Sequence, residues 1–277
     1  MTVDAAGANP VLFPRPMRAL PPARLGLWAY AGAGIALGAR AALVGAPPLA
    51  PAALGFVGYM ALGTLGVFWP EQGMYGSLLW RGPARPEIAL TFDDGPSPET
   101  TPRVLELLAA ADVRATFFVV GRKAERHPEL LRAMLAAGHE LGLHGYDHDR
   151  LFSLRFPRQV ARDIERTQTV LERAGAPRST LFRPPIGFAS HFTVFGARRA
   201  GVTLVGCSAR AFDGFAGAAP QRVTERLLRG IQPGALLALH DAAERDNYVP
   251  ASVAALPRVL EAIRARSLRP VTLSEWH

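Results

Sequence analysis

The chain has 277 residues, 49% of them hydrophobic, and a mean hydropathy of +0.12, too apolar on average for an ordinary soluble domain, so membrane segments are the first thing to look for. The formal net charge of +8 is carried mainly by arginine. No helix-turn-helix, zinc-finger or RNA-binding pattern accompanies it, so no nucleic-acid partner is expected and an anionic lipid surface fits better; the single cysteine, Cys207, excludes an intrachain disulfide framework.

Residues 1–24, rich in Pro and Arg, are expected to form a flexible basic tail. Residues 25–46 are almost wholly apolar, with Arg40 the exception; Pro47, Pro48 and Pro51 break the pattern, and residues 52–69 form a second uninterrupted apolar run. About 20 helical residues cross a bilayer core of about 30 Å, so residues 25–70 are expected to hold two transmembrane helices. Gly34 and Gly38, and Gly55, Gly58 and Ala61, supply small faces for close helix packing. A signal peptide followed by a buried helix is the competing reading. Arg15, Arg18 and Arg24 precede the hairpin, Arg81 and Arg85 follow it, and its Pro-rich connection is uncharged. The positive-inside tendency therefore predicts a two-pass protein of the inner (cytoplasmic) membrane with its domain in the cytoplasm. Arg40 dissents, and a single span would put the domain in the periplasm.

From residue 83 to 277 the pattern becomes that of an α/β domain. Strands are predicted at 88–92, 115–120, 140–143, 180–182, 202–206, 235–239 and 270–273. Helices are predicted at 100–111, 122–137, 157–174, 191–200, 221–228 and 251–264. This alternation predicts a parallel sheet and fits a (β/α) barrel slightly short of eight units.

Reactive side chains recur where predicted strands run into their loops: Asp93 and Asp94, then His144 and His148, then Arg183, Asp213 and His240. In a parallel barrel those ends share one face, where active sites lie. Two imidazoles four residues apart, with a carboxylate from a neighbouring strand end, suit a divalent metal with open positions. The same set also suits a non-haem iron oxygenase. His127, His139, His191 and His277 have no such setting, and nothing favours Asp147 as a ligand.

The stretches TFDDGP, HGYDH, RPPIG, SARAFDG and LALH, in that order, resemble the motifs of the polysaccharide deacetylase family (NodB homology, carbohydrate esterase family 4) over about residues 86–275. The resemblance implies a distorted (β/α)7 barrel and a divalent metal, by default Zn2+, that serves to remove acyl groups from amino sugars. It also implies the roles. Asp94, His144 and His148 hold the metal, Asp93 is the base and His240 the acid. Arg183 holds the base, Asp213 orients the acid, and a backbone N–H near Ile186 meets the oxyanion. Four positions depart from the family pattern: Gly145 for Ser or Thr, Ile186 for Tyr, Arg210 for Asp and Gly214 for Trp, the last removing a groove wall. With a cytoplasmic domain the expected substrate is an acylated amino sugar on a membrane-linked glycan or glycolipid. With an external domain it is peptidoglycan or an exported polysaccharide. An inactive glycan-binding module is the remaining alternative, against which the presence of Asp93 and His240 speaks.

Overall fold

The computed structural model describes residues 20–276. The expected tail therefore lies, but for its last residues, outside the described residues. Two long helices come first, α1 (Pro22–Val44) and α2 (Leu49–Phe68), antiparallel and joined by a four-residue link. Each starts a few residues earlier than predicted, because proline is tolerated in a first helical turn, where its missing N–H has no partner to lose. Most side chains on both helices are exposed and Gly66 is the one buried residue on them, and both are long and apolar enough to cross a membrane, which suggests membrane anchoring or a signal. Of the glycines expected to pack, Gly58 lies against the Tyr30 ring of α1, whereas a side chain at Gly34, Gly38 or Gly55 would meet open space. Gly63 and Gly66 instead face Tyr75 and Met74 of the segment that follows α2.

The domain alternates strands and helices: β1 (Glu87–Asp93), α3 (Thr101–Ala110), β2 (Thr116–Val119), α4 (Gly121–Arg126), α5 (Pro128–Ala136), β3 (Glu140–Leu143), α6 (Pro157–Arg173), β4 (Leu181–Phe182), α7 (His191–Arg199), β5 (Thr203–Leu204), β6 (Ala209–Arg210), α8 (Pro220–Gly230), β7 (Ala235–His240), α9 (Ala251–Ala265) and β8 (Arg269–Val271). All pairings are parallel, in the order β5-β4-β3-β2-β1-β7-β6, with β8 beside the start of β1. No ladder joins β5 to β6 among the described residues, so the curved sheet is a distorted parallel half-barrel with a seam. The helix predicted at 122–137 is two helices: Pro128 cannot donate to the preceding turn and disfavours helical backbone at His127, where the break falls. The two-residue strand β6 was not anticipated; it is too short to show a period.

Strand alternation builds two cores. Ile88, Leu90 and Phe92 of β1 point outward, with Phe117, Leu143, Phe182, Leu237 and Leu239, against the helices. Ala89, Phe118, Leu181, Leu236 and Ala238 point inward and fill the barrel. Successive strand residues face opposite sides, so continuing the inward series places Thr91 and Asp93 on β1, His240 on β7, His144 after β3 and Arg183 after β4 at one mouth.

Candidate active site

Asp93 and His240 are register partners on adjacent strands, which sets them side by side at the C-terminal end of the sheet. Asp94 would ordinarily point to the opposite face from Asp93. Its backbone is left-handed (φ 71°), which turns the second carboxylate back into the same pocket. His148 and Ile186, also at the pocket, share that conformation at φ 53° and 61°. Left-handed non-glycine residues cost on the order of 1–3 kcal/mol each and gather where geometry is held for function.

Asp94, His144 and His148 are all buried, with one ligand atom from each lying within 4.8 Å of the others. Asp94 Oδ1 is 3.3 Å from His144 Nε2 and 3.1 Å from His148 Nε2. His144 Nδ1–H donates to the Arg183 carbonyl at 2.8 Å, so its Nε2 presents a lone pair. Asp94 Oδ1 is a buried oxygen with no hydrogen-bond donor. Lone pairs converging on an orphaned carboxylate oxygen fit a divalent cation. Burial raises the Asp94 pKa, but the surrounding imidazoles of His144, His148 and His240 outweigh it and hold the carboxyl well below the usual range. Burial lowers the His148 pKa, which keeps that imidazole neutral and able to ligate. Asp147 is exposed and takes no part.

The flanking groups are equally fixed. Arg183 Nη1 donates to Asp93 Oδ1 at 2.6 Å and to Thr91 Oγ1 at 2.8 Å, and Nη2 donates to the Gly206 carbonyl at 2.7 Å. Its guanidinium lies 4.2 Å from the centre of the Phe118 ring, which Gly142 accommodates on the next strand by having no side chain. On the other side His240 Nδ1 donates to Asp213 Oδ1 at 2.7 Å, and the Ser252 hydroxyl donates to Asp213 Oδ2. Burial lowers the His240 pKa, yet Asp213, with Asp94 and Asp93 behind it, pushes it up to about 10. The imidazolium in turn pulls Asp213 below its ordinary value, although burial alone would raise it. All seven residues singled out from the sequence thus meet in one place. His240 Nε2 lies 3.9 Å from Asp94 Oδ2.

The pocket is a cavity of about 440 Å3 whose walls include Ile186, Phe188, Phe212 and Phe215. The groove wall expected to be lost at Gly214 is supplied by Phe212 and Phe215 on either side of it. Gly214 itself lies against His240, where a side chain would crowd the ring. Gly145 has φ +77°, which suits glycine, and the loop is held instead by Asp163 Oδ1, which accepts from the Tyr146 N–H at 2.8 Å. Several neighbours carry no sequence signal of their own. Ser252 sits in α9, Glu244 lies 3.7 Å from His148 Nδ1 and also binds Arg150, and Glu71 pairs with Arg210 at 2.8 Å. Only their spacing in three dimensions reveals them. His139 is a core residue: its Nδ1 accepts from the Ala115 N–H at 3.2 Å, and burial lowers its pKa to about 4. His127 and His191 lie outside the pocket, and His277 is outside the described residues.

Residues 81–205 match the Polysaccharide deacetylase family. A chitooligosaccharide deacetylase of Sinorhizobium fredii is 32% identical over 208 residues, covering 71% of this chain and 94% of that protein. The chain belongs to the polysaccharide deacetylase family. A peptidoglycan-N-acetylglucosamine deacetylase of Bacillus cereus is 30% identical, covering 74% of this chain and 72% of that protein. The crystal structure of a peptidoglycan N-acetylglucosamine deacetylase superposes with a TM-score of 0.66 at 28% identity, covering 75% of this chain and 94% of that one. As a deacetylase of carbohydrate esterase family 4, the chain is a metal-dependent hydrolase of carbon–nitrogen bonds other than peptide bonds, acting on an acetylated glycan. The family sets aside the iron oxygenase that two histidines and a carboxylate alone left open, and Asp93 and His240, both in place beside the metal-ligand triad, speak against an inactive binding module. Residues 1–80, with both apolar helices, lie outside the family match.

Proposed function

We propose that the chain removes an N-acetyl, or another N-acyl, group from an amino sugar carried on a membrane-linked glycan or glycolipid. The observation that carries this reading is the convergence of Asp94, His144 and His148 between two braced groups, Asp93–Arg183 and His240–Asp213. A divalent ion, Zn2+ by its preference for nitrogen and oxygen ligands, would be held by Asp94, His144 and His148, and when bound would polarise the acyl carbonyl and acidify water.

The protein's own groups do the proton work. Asp93, its carboxylate steadied by Arg183, takes a proton from the attacking water as the new C–O bond forms. The backbone N–H at Ile186 donates to the developing oxyanion. His240, kept protonated by Asp213, donates from Nε2 to the leaving nitrogen as the C–N bond breaks. The products are acetate, or the corresponding acid, and a free amine on the sugar.

Membrane linkage is supported by the two exposed apolar helices and by their flanking charges. Arg24, Arg81 and Arg85 lie at the domain end of the hairpin and none lies in the link between helices, which favours a cytoplasmic domain in a two-pass inner-membrane protein. A wall polymer outside the cell is the alternative, favoured by the peptidoglycan named for the Bacillus cereus relative. Mass analysis of membrane lipids and wall glycans from cells with wild-type or Asp93→Asn protein tests both. A lipid-linked sugar lighter by one acyl group in the wild type supports the proposal; a change confined to wall glycan overturns it in favour of the alternative.

A further inference from the structure

The deacetylase domain does not hang from its apolar helices on a loose tether. The last turn of α2 packs directly on the loop that carries Ile186: Phe68 and Phe188 meet edge to face at 4.6 Å, and the Ala189 N–H donates to the Val67 carbonyl at 3.4 Å. The opposite wall of the pocket is tied to the same place, because Arg210, two residues before Phe212, pairs at 2.8 Å with Glu71, three residues beyond the end of α2. Arg24 in the first turn of α1 donates to the Gly73 and Met74 carbonyls, and Tyr75 donates its hydroxyl to the Gly63 carbonyl inside α2. The start of α1, the end of α2 and both pocket walls are therefore tied to one another.

Where those contacts fall along α2 has a physical meaning. The 20 residues of α2 span about 30 Å, the thickness of a bilayer core, so a membrane that accepts α2 has its boundary at the last turn. The groups touching Val67 and Phe68 sit at that boundary. Large apolar side chains are exposed around it: Trp69 at 56%, Ile186 at 39%, and Phe212 and Phe215 at 58% each. An aromatic rim continuous with a membrane helix is what an interfacial segment presents to lipid.

We infer that the mouth of the active site is seated in the membrane interface, with Ile186, Phe212 and Phe215 immersed among lipid headgroups and upper acyl chains, so that the sugar enters from the plane of the membrane and not from bulk water. The occupant of this rim is a lipid bilayer. The inference rests on the proposed reading of α1 and α2 as membrane spans, and it narrows the substrate to an amino sugar whose lipid anchor stays in the bilayer.

The test uses the full chain reconstituted in vesicles of phosphatidylethanolamine and phosphatidylglycerol. Cys207, the only cysteine, is replaced by Ala, and a bimane fluorophore is attached through Phe215→Cys, or through Phe212→Cys should the first variant fold poorly. Ala265→Cys serves as the control. It is exposed at the C-terminal end of α9, which leads into the start of β8, at the end of the sheet away from the pocket. With brominated lipid, the label at 215 or 212 is expected to lose about half or more of its emission, since interfacial segments sit about 5–10 Å deep, while the label at 265 keeps its emission. Equal quenching at both positions, no quenching at either, or a chain that stays in the aqueous phase overturns the inference. No substrate is needed, so this outcome is independent of the acyl-release assay on which the proposed reaction stands or falls.

Discussion

Replacing Asp213 by Asn keeps the side-chain shape and removes one charge beside His240. In the native site burial disfavours the imidazolium, and the Asp213 carboxylate, 2.7 Å away, more than offsets that burial to bring the pKa to about 10. Sign and window follow: the acid form of His240 persists up to about pH 10 in the wild type, and without Asp213 burial is opposed by Asp94 and Asp93 alone, so the proton is lost at lower pH, for which the ordinary imidazole value of about 6.5 is the working figure. At pH 6 about three quarters of the variant would still carry the proton, whereas at pH 8 about one molecule in 30 would. Acid catalysis in the variant is therefore expected to be nearly intact at pH 6 and to fall about 30-fold at pH 8, with the alkaline limb of kcat/KM moved down by the same interval. Acetate release across this range, together with NMR titration of His240, provides the assay. A loss of equal size at both pH values would refute the electrostatic role and leave Asp213 only a geometric one.

Arg183→Met removes the cation that holds Asp93 and leaves buried acceptors unpaired; a fall in kcat of about 100-fold or more is expected with metal content retained, checked by acetate release and metal analysis. Asp241, fully buried, has its pKa raised from 3.8 to about 7 by burial, so the folded state holds a proton that the unfolded state has lost, and stability declines as pH rises from about 4 to about 7. Asp241→Asn should remove that slope and gain on the order of 4 kcal/mol at pH 8, read as a Tm increase at pH 8 that is absent at pH 4. Gly142→Ala would drive a methyl group into the Phe118 ring beneath Arg183 and is expected to cost about 1–3 kcal/mol in denaturant unfolding.

The catalytic constellation was legible because the chemistry is strictly local to strand ends. TFDD, HGYDH and LALH each place reactive residues at the end of an apolar strand, and period-2 alternation alone predicts that Asp93, His144, Arg183 and His240 share the barrel interior. What alternation does not predict is Asp94, whose entry into the pocket depends on a left-handed backbone that no side-chain pattern announces. The break at His127 was written in Pro128 and overridden by the amphipathic pattern around it. Residues that act across the fold were hidden for a simpler reason. Ser252 is 39 positions from Asp213, and Glu71 is 139 from Arg210, so no window along the chain contains both partners. The apolar hairpin was legible as two long helices, yet its packing was not: of the small residues expected to mediate it, Gly58 meets the partner helix, and the contacts that matter for the site come from Val67, Phe68 and Glu71.

The account turns on Asp94, His144 and His148 gathering a single ion while Asp93, one residue away, does different work. Metal analysis of purified protein, run beside acetate release, separates the two directly. Asp93→Asn should retain a stoichiometric divalent ion and release no acetate, and His144→Ala should lose the ion. Acetate release at the wild-type rate from Asp93→Asn, or full metal retention in His144→Ala, would contradict it.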